Sequence, residues 1–233
     1  MSQPRYNLSK LKNRIIAIDG PAGSGKSTTA KLLAAKLGYR YLDTGAMYRA
    51  LTLFATQNGV APSDGPRLKK LAEAVTIGFE TTPEVNRVFI NGRDVTEEIR
   101  SPMVTQLVSE VSAHPGVRQA MVKKQQDMGK HGGIVAEGRD TTTVVFPHAD
   151  VKVYMDSVPR TRAERRLIDL ARQGVSTTIE ELEADIKRRD EYDSNREHSP
   201  LQRARDAYNI DTTNMTIEEQ VEKVLALLKA VLK

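Results

Sequence analysis

Cysteine and tryptophan are absent from the 233 residues, and phenylalanine occurs only four times. The first absence excludes disulfide bridges, thiolate metal ligands and cysteine nucleophiles, and it suits a reducing cytoplasm, the location expected for the chain. The scarcity of large aromatics requires a core built mostly from aliphatic side chains. No apolar run approaches the ~20 residues that a bilayer-crossing helix needs. The first residues, MSQPRYNLSKLKNR, are basic but carry no apolar h-region, so residues 1–13 read as a basic tail rather than a secretory signal. Internal repeats and low-complexity segments are also missing.

What is present is ordinary for a soluble globular chain: 39% hydrophobic and 28% charged residues. The length fits one large domain or a core with insertions. A net charge of +5 fits an acidic partner, whether nucleotide phosphates, nucleic acid or an anionic membrane, and total charge does not choose among them.

Apolar runs alternate with helical periodicity along most of the chain. RIIAID (Arg14–Asp19) reads as a buried strand. Ser27–Leu37 has Ala30, Leu33, Ala34 and Leu37 at helical spacing, with Gly38 as the stop. Tyr39–Asp43 reads as a strand and Ala46–Gln57 as a helix ended by Asn58-Gly59. Val75–Glu80 and Asn86–Asn91 then alternate around Thr82-Pro83, a hairpin pattern lying between helices predicted at Pro66–Ala74 and Ser101–Ala113. The α/β rhythm returns with a helix over Gly116–Lys130, strands in Gly133–Asp140 and Ala149–Asp156, and a basic helix at Pro159–Gln173. Thr178–Arg189 opens with a capping box (Thr178, Glu181), Ala207–Thr213 holds a last strand, and Thr216–Leu232 is an amphipathic helix with its own capping box (Thr216, Glu219). This pattern predicts an α/β fold, a parallel sheet with helices on both faces, of the P-loop type by the match of Gly20–Ser27 to G-x-x-x-x-G-K-[ST]. The expected division is a core at 14–65 and 114–233, an inserted α+β subdomain at 66–113, and a helical lid at about 157–196.

One stretch carries specific chemistry. Gly20–Ser27 is GPAGSGKS, a full match to G-x-x-x-x-G-K-[ST] between a predicted strand and a predicted helix. Its glycines let the backbone curl into a nest of N–H groups that opens onto a helix N-terminus. Gly20, Pro21, Ala22, Gly23, Ser24, Gly25, Lys26, Ser27 and Thr28 are therefore the expected phosphate cradle. Lys26 reaches the β- and γ-phosphates and the Ser27 hydroxyl is a ligand for Mg²⁺. The motif alone does not separate GTPases, ATPases, motors and small-molecule kinases.

The rest of the chain narrows the choice. A base-reading NKxD is missing, as is a strand ending in two acids. Arginines stand instead beside small polar residues in DTGAMYR (Asp43–Arg49), EGRD (Glu137–Asp140) and RRDEYDSNR (Arg188–Arg196). Bringing two anionic groups into line requires their repulsion to be cancelled, and forked guanidinium groups do this well. Arg162, Arg165 and Arg166 fall within about one turn of the basic helix and suit either a solvated face or a lid closing over phosphates. A nucleic-acid-binding ATPase and a kinase for UMP or another small acceptor stay open at this point.

Taken in order, IDGPAGSGKST, YLDTGAMYR, INGRDVTEEIRS, VAEGRD, TVVFP and RRDEYDSNR resemble bacterial cytidylate kinases over nearly the whole chain from about Arg14. The resemblance implies a monomeric nucleoside-monophosphate kinase that uses ATP, Mg²⁺ and CMP or dCMP, with no stable nucleic-acid or membrane partner. It places Thr44, Arg49, Arg139 and Arg196 at the acceptor phosphate, and Ser109, Arg118 and Asp140 at the cytosine. Arg189 and Asp193 fall at the ribose and Arg165 near the ATP phosphates. Lys26, Arg139, Arg165 and Arg196 are thus the expected catalytic residues. The chain departs from that pattern with Glu137 for Asp, Thr44 for Ser, and Thr141-Thr142 where the family is expected to carry Ile-Gly. Loss of that glycine is expected to tighten the backbone beside Asp140.

Overall fold

In the computed structural model, residues 13–82, 85–172 and 174–231 are described. The expected tail at 1–13 apart from Asn13, the turn residue Pro83, and the helix ends at Gln173 and Leu232 lie outside them. Strand β1 (Ile15–Asp19) leads through the glycine-rich loop into α1 (Lys26–Leu37), then β2 (Arg40–Asp43) and α2 (Thr44–Gln57). Next come α3 (Gly65–Ala74), the short antiparallel strands β3 (Ile77–Thr81), β4 (Asn86–Ile90) and β5 (Arg93–Asp94), and α4 (Pro102–Ala113). The chain continues through α5 (Pro115–Gly129), β6 (Ile134–Gly138), β7 (Val151–Asp156), α6 (Pro159–Arg172), α7 (Ile179–Asn195), β8 (Tyr208–Asp211) and α8 (Ile217–Val231).

Five strands form one sheet in the order β2-β6-β1-β7-β8, every neighbouring pair parallel. Side chains of β1 alternate between the two sheet faces and are apolar on both, which suits its central place. Ile16 and Ile18 pack into a cluster with Leu33 of α1 and Val224, Leu225 and Leu228 of α8, whereas Ala17 belongs to the cluster on α2 and α5. Both sheet faces are covered, as apolar parallel strands require. Leu33 is fully buried in the first cluster, so Leu33→Ala is expected to lower unfolding free energy by about 2–5 kcal/mol, read from denaturant midpoints.

The three-stranded sheet (β3-β4-β5) does not carry a separate core. Ile77, Val88 and Ile90 join Leu68, Val104 and Val108 in the same continuous cluster as Leu42, Met47 and Ala136. By contrast α6 and α7 pack on each other through a small cluster of their own, Ala163, Leu182 and Ile186.

Three elements differ from the sequence expectation, each for a local reason. Helix α2 starts at Thr44 because the Asp43 carboxylate caps it, accepting from the Ala46 amide at 2.7 Å. Helix α7 runs beyond Arg189 to Asn195, which puts Arg189 and Asp193 one turn apart on one face. Residues 141–145 form a π-helical turn. Neither Thr141 nor Thr142 has a positive φ, so the turn needs no glycine there.

Candidate active site

The phosphate loop lies at the carboxyl end of β1, where open parallel sheets collect their ligands. Gly20 is required: φ is 155°, and a Cβ there would overlap the Met155 carbonyl. Gly25, at φ 87°, starts α1 with no side-chain cap, which leaves the first amides of the helix free to meet an anion. Lys26 is buried, its Nζ 3.3 Å from the Pro21 carbonyl and 3.7 Å from Glu137 Oε2. Burial first, and then the neighbouring Arg139, push its ammonium down to about 8, against the pull of Glu137. A triphosphate would hold the proton on. Binding should therefore draw a proton from solution, and affinity should fall as pH rises above about 8, by up to about tenfold per unit. Calorimetric titration of ATP at pH 9 in buffers of different ionisation enthalpy measures that uptake; none would contradict the assignment.

Glu137 and Asp43 stand side by side, paired in register at the ends of β6 and β2. Ser27 Oγ donates to Glu137 Oε1 at 2.6 Å, and the Tyr41 hydroxyl donates to the same oxygen at 3.1 Å. Burial works against the Glu137 carboxylate. Lys26, the Ser27 hydroxyl, Arg139 and Arg49 outweigh it and hold the group below the usual range. Asp43 is pushed the other way, by burial and by the Glu137 charge. One carboxylate is thus kept ionised against the Ser27 hydroxyl, the hard-oxygen pair a phosphate-bound divalent cation takes.

Arginines gather beside this point. Arg139 Nε donates to Asp193 Oδ2 at 3.0 Å, and Arg196 Nη1 lies 4.0 Å from the other Asp193 oxygen. Arg189 is pushed down to about 10 by burial and by Arg139. Arg49 reaches Asp43 at 3.4 Å. Among the described residues, buried nitrogens of Arg49, Arg189 and Arg196 have no hydrogen-bond partner. Guanidinium groups packed closely enough to oppose one another's charge, with donors to spare, fit an anionic ligand. The Thr44 hydroxyl donates to the Glu137 carbonyl at 2.8 Å, which fixes the start of α2 against β6.

The third group lies where α4, α5 and the π turn meet. Arg118, buried, pairs with Asp140 through Nη2 and donates through Nη1 to the Ser112 carbonyl at 3.1 Å. Its guanidinium sits 5.2 Å from the Tyr48 ring centroid. Ser109 is half-buried on α4, and its carbonyl accepts from the Ser112 hydroxyl at 3.1 Å. The Ser109 side chain makes no bond to Arg118 or Asp140 among the described contacts.

The arginines of α6, expected in a lid, have anchoring partners. Arg165 donates to the Gly23 carbonyl at 3.3 Å and to the Thr212 carbonyl at 2.6 Å. Arg162 donates to the Ala22 carbonyl at 3.3 Å and pairs with Asp190 at 2.6 Å. Both tie α6 to the carbonyl side of the phosphate loop. Sequence reasoning does not single out Tyr41, Tyr48 or Ser112. The usable signal was polar aromatics inside apolar elements, whose hydroxyl or ring must meet something polar when buried.

A glycine-rich P-loop facing a cluster of buried arginines fits a P-loop protein of the phosphotransferase type. A family model described as cytidylate kinase matches residues 16–230. A cytidylate kinase of Enterococcus faecalis is 50% identical over 214 residues, which is 92% of this chain and 95% of that one. A bifunctional pantoate ligase/cytidylate kinase of Prochlorococcus marinus is 46% identical over 218 residues; the chain covers 42% of that longer protein. The solved structure of an uncharacterized protein from Eubacterium ventriosum shares the fold at a TM-score of 0.51 and 12% identity, covering 94% of this chain and 99% of that one. The chain belongs to the cytidylate kinase family.

Proposed function

We propose that the protein transfers the γ-phosphoryl group of ATP to CMP or dCMP, giving ADP and CDP or dCDP. The observation that carries this is the adjacency of the glycine-rich loop and the arginine cluster: Lys26 of the loop lies within Coulombic reach of Arg139 and Arg189. An acceptor phosphate held by Arg49, Arg139 and Arg196 has its oxygen beside the γ-phosphorus of ATP on the loop. That oxygen forms the new P–O bond as the β–γ bridge breaks towards ADP. No side-chain base is needed, because the acceptor oxygen is already anionic; positioning and charge neutralisation carry the rate.

The family's ATP chemistry uses Mg²⁺, and the Ser27 hydroxyl and Glu137 carboxylate are the residues that would hold it. When bound, the ion neutralises charge on the β- and γ-phosphates. Arg118 and Asp140 suit cytosine: the carboxylate accepts from the N4 amino group and the guanidinium donates to O2 or N3, while uracil would turn its O4 towards the carboxylate. Arg189 and Asp193, on one face of α7, suit the ribose. The segment 66–113 serves as the acceptor-binding subdomain, and 157–196 as the lid that excludes water.

The test is the fate of the phosphoryl group. With γ-labelled ATP and CMP, the label is expected in CDP. Label released as inorganic phosphate at the same rate with and without CMP would make the protein a hydrolase and overturn the reading.

A further inference from the structure

Asp19 is the last residue of β1, fully buried, and directly precedes the phosphate loop. It makes no contact with Lys26 or Ser27 among the described hydrogen bonds. All its described side-chain hydrogen bonds go the other way, to the turn that follows Arg139 and Asp140. Oδ1 accepts from the Thr141 amide at 2.7 Å and from the Thr141 hydroxyl. Oδ2 accepts from the Thr142 amide at 2.7 Å and from the Thr142 hydroxyl at 2.6 Å. Thr141 and Thr142 are themselves buried, and the turn is closed behind them by the Val144 and Val145 amides on the Asp140 carbonyl at 2.9 and 3.1 Å.

A buried carboxylate is costly unless its lone pairs are met, and four donors meet them here. The arrangement is also directional. Two amides fix where the turn begins, and two hydroxyls fix the rotation of the carboxylate. Beyond Asp19 and Gly138, which are in register, the sheet stops holding the two segments together. From there one chain becomes the phosphate loop and the other presents Arg139 and Asp140. Past the end of the ladder the Asp19 clamp ties them directly, and the Thr141 hydroxyl also lies 3.2 Å from the Ile18 carbonyl.

We infer that Asp19, with the Thr141 and Thr142 hydroxyls, is a positioning unit that sets the acceptor arginine and the base-reading aspartate at their working distance from the phosphate loop. This rests on the phosphoryl-transfer reading and deepens it. The unit touches neither nucleotide. Its loss should leave each nucleotide's own binding nearly intact and lower the rate at which the two, both bound, react, since small misplacements are expensive in an in-line transfer. The Thr142 hydroxyl is the place to test it, because Thr142→Val keeps shape and removes one donor, and Thr142→Ser keeps the donor.

The experiment measures kcat, both KM values and Tm for wild type, Thr142→Val, Thr142→Ser and Asp19→Asn. With CMP as acceptor, kcat of Thr142→Val should fall about fivefold or more and that of Asp19→Asn further, with KM for ATP and CMP within about twofold. Thr142→Ser should return kcat to near the wild-type value. A Thr142→Val protein that is less heat-stable yet has unchanged kcat well below its Tm shows a structural role only and overturns the inference; so does an equal loss in Thr142→Ser. Should Asp19→Asn not fold, the valine and serine pair still decides. Failure of the parent reading looks different, since wild type itself would then form no CDP.

Discussion

Arg139→Ala should lower kcat/KM for CMP by about a thousandfold or more, in the range found when an arginine is removed from a transferring phosphoryl group, while ATP affinity changes by less than about threefold. The asymmetry follows from where Arg139 stands. It leaves the end of β6, donates to Asp193, and opposes the charges of Lys26 and Arg189 without bonding to the phosphate loop. The variant should fold, because Asp193 still has Arg189 and Arg196 beside it. Arg139→Lys should recover little, since one ammonium cannot serve Asp193 and a phosphate in the two-point geometry of a guanidinium. Steady-state kinetics with a parallel ATP titration checks this, and unchanged CMP kinetics in Arg139→Ala would remove Arg139 from the acceptor site.

Lys26→Met should cost about 10²–10³ in kcat, the scale of losing one preorganised donor to charge that develops in the transition state. Its stability should hold, because an ammonium pushed down to about 8 by burial is not a group that favours the fold. The sign is definite. The free protein disfavours the charged form, so replacing it by an apolar chain of similar length removes an unfavourable interaction, although Glu137 then relies on Ser27 and the arginines. The same variant should lose the weakening of ATP binding above pH 8. A Lys26→Met protein that keeps both full kcat and that pH dependence would mean the lysine does not meet the phosphates.

Much of the fold around this candidate site was legible in the sequence, and the reasons are physical. Gly20–Ser27 is local: its backbone shape, its helix and its lysine are adjacent in sequence, so spacing alone specifies them. Arg139 and Asp140 could be placed because parallel strands present their carboxyl ends on one side. The length of α7 was not legible, since a polar run such as RRDEYDSN has no apolar period, and what its last turns meet, Arg162 at Asp190 and Arg139 at Asp193, lies far away in the chain. The anchoring of Arg162 and Arg165 to loop carbonyls was equally hidden, because it depends on partners far away in the chain. Thr141-Thr142 reads as a departure from the family pattern. Asp19, more than a hundred residues earlier, is what gives the two hydroxyls their use.

The most direct test of the account is ADP release from ATP·Mg²⁺ against CMP, dCMP, UMP, dTMP, AMP and GMP at matched concentrations. CMP and dCMP should exceed every other acceptor by well over tenfold, a gap of more than ~1.4 kcal/mol in transition-state binding. A flat panel, or one led by UMP or a purine nucleotide, would contradict the reading of Arg118 and Asp140 as the pair that selects cytosine.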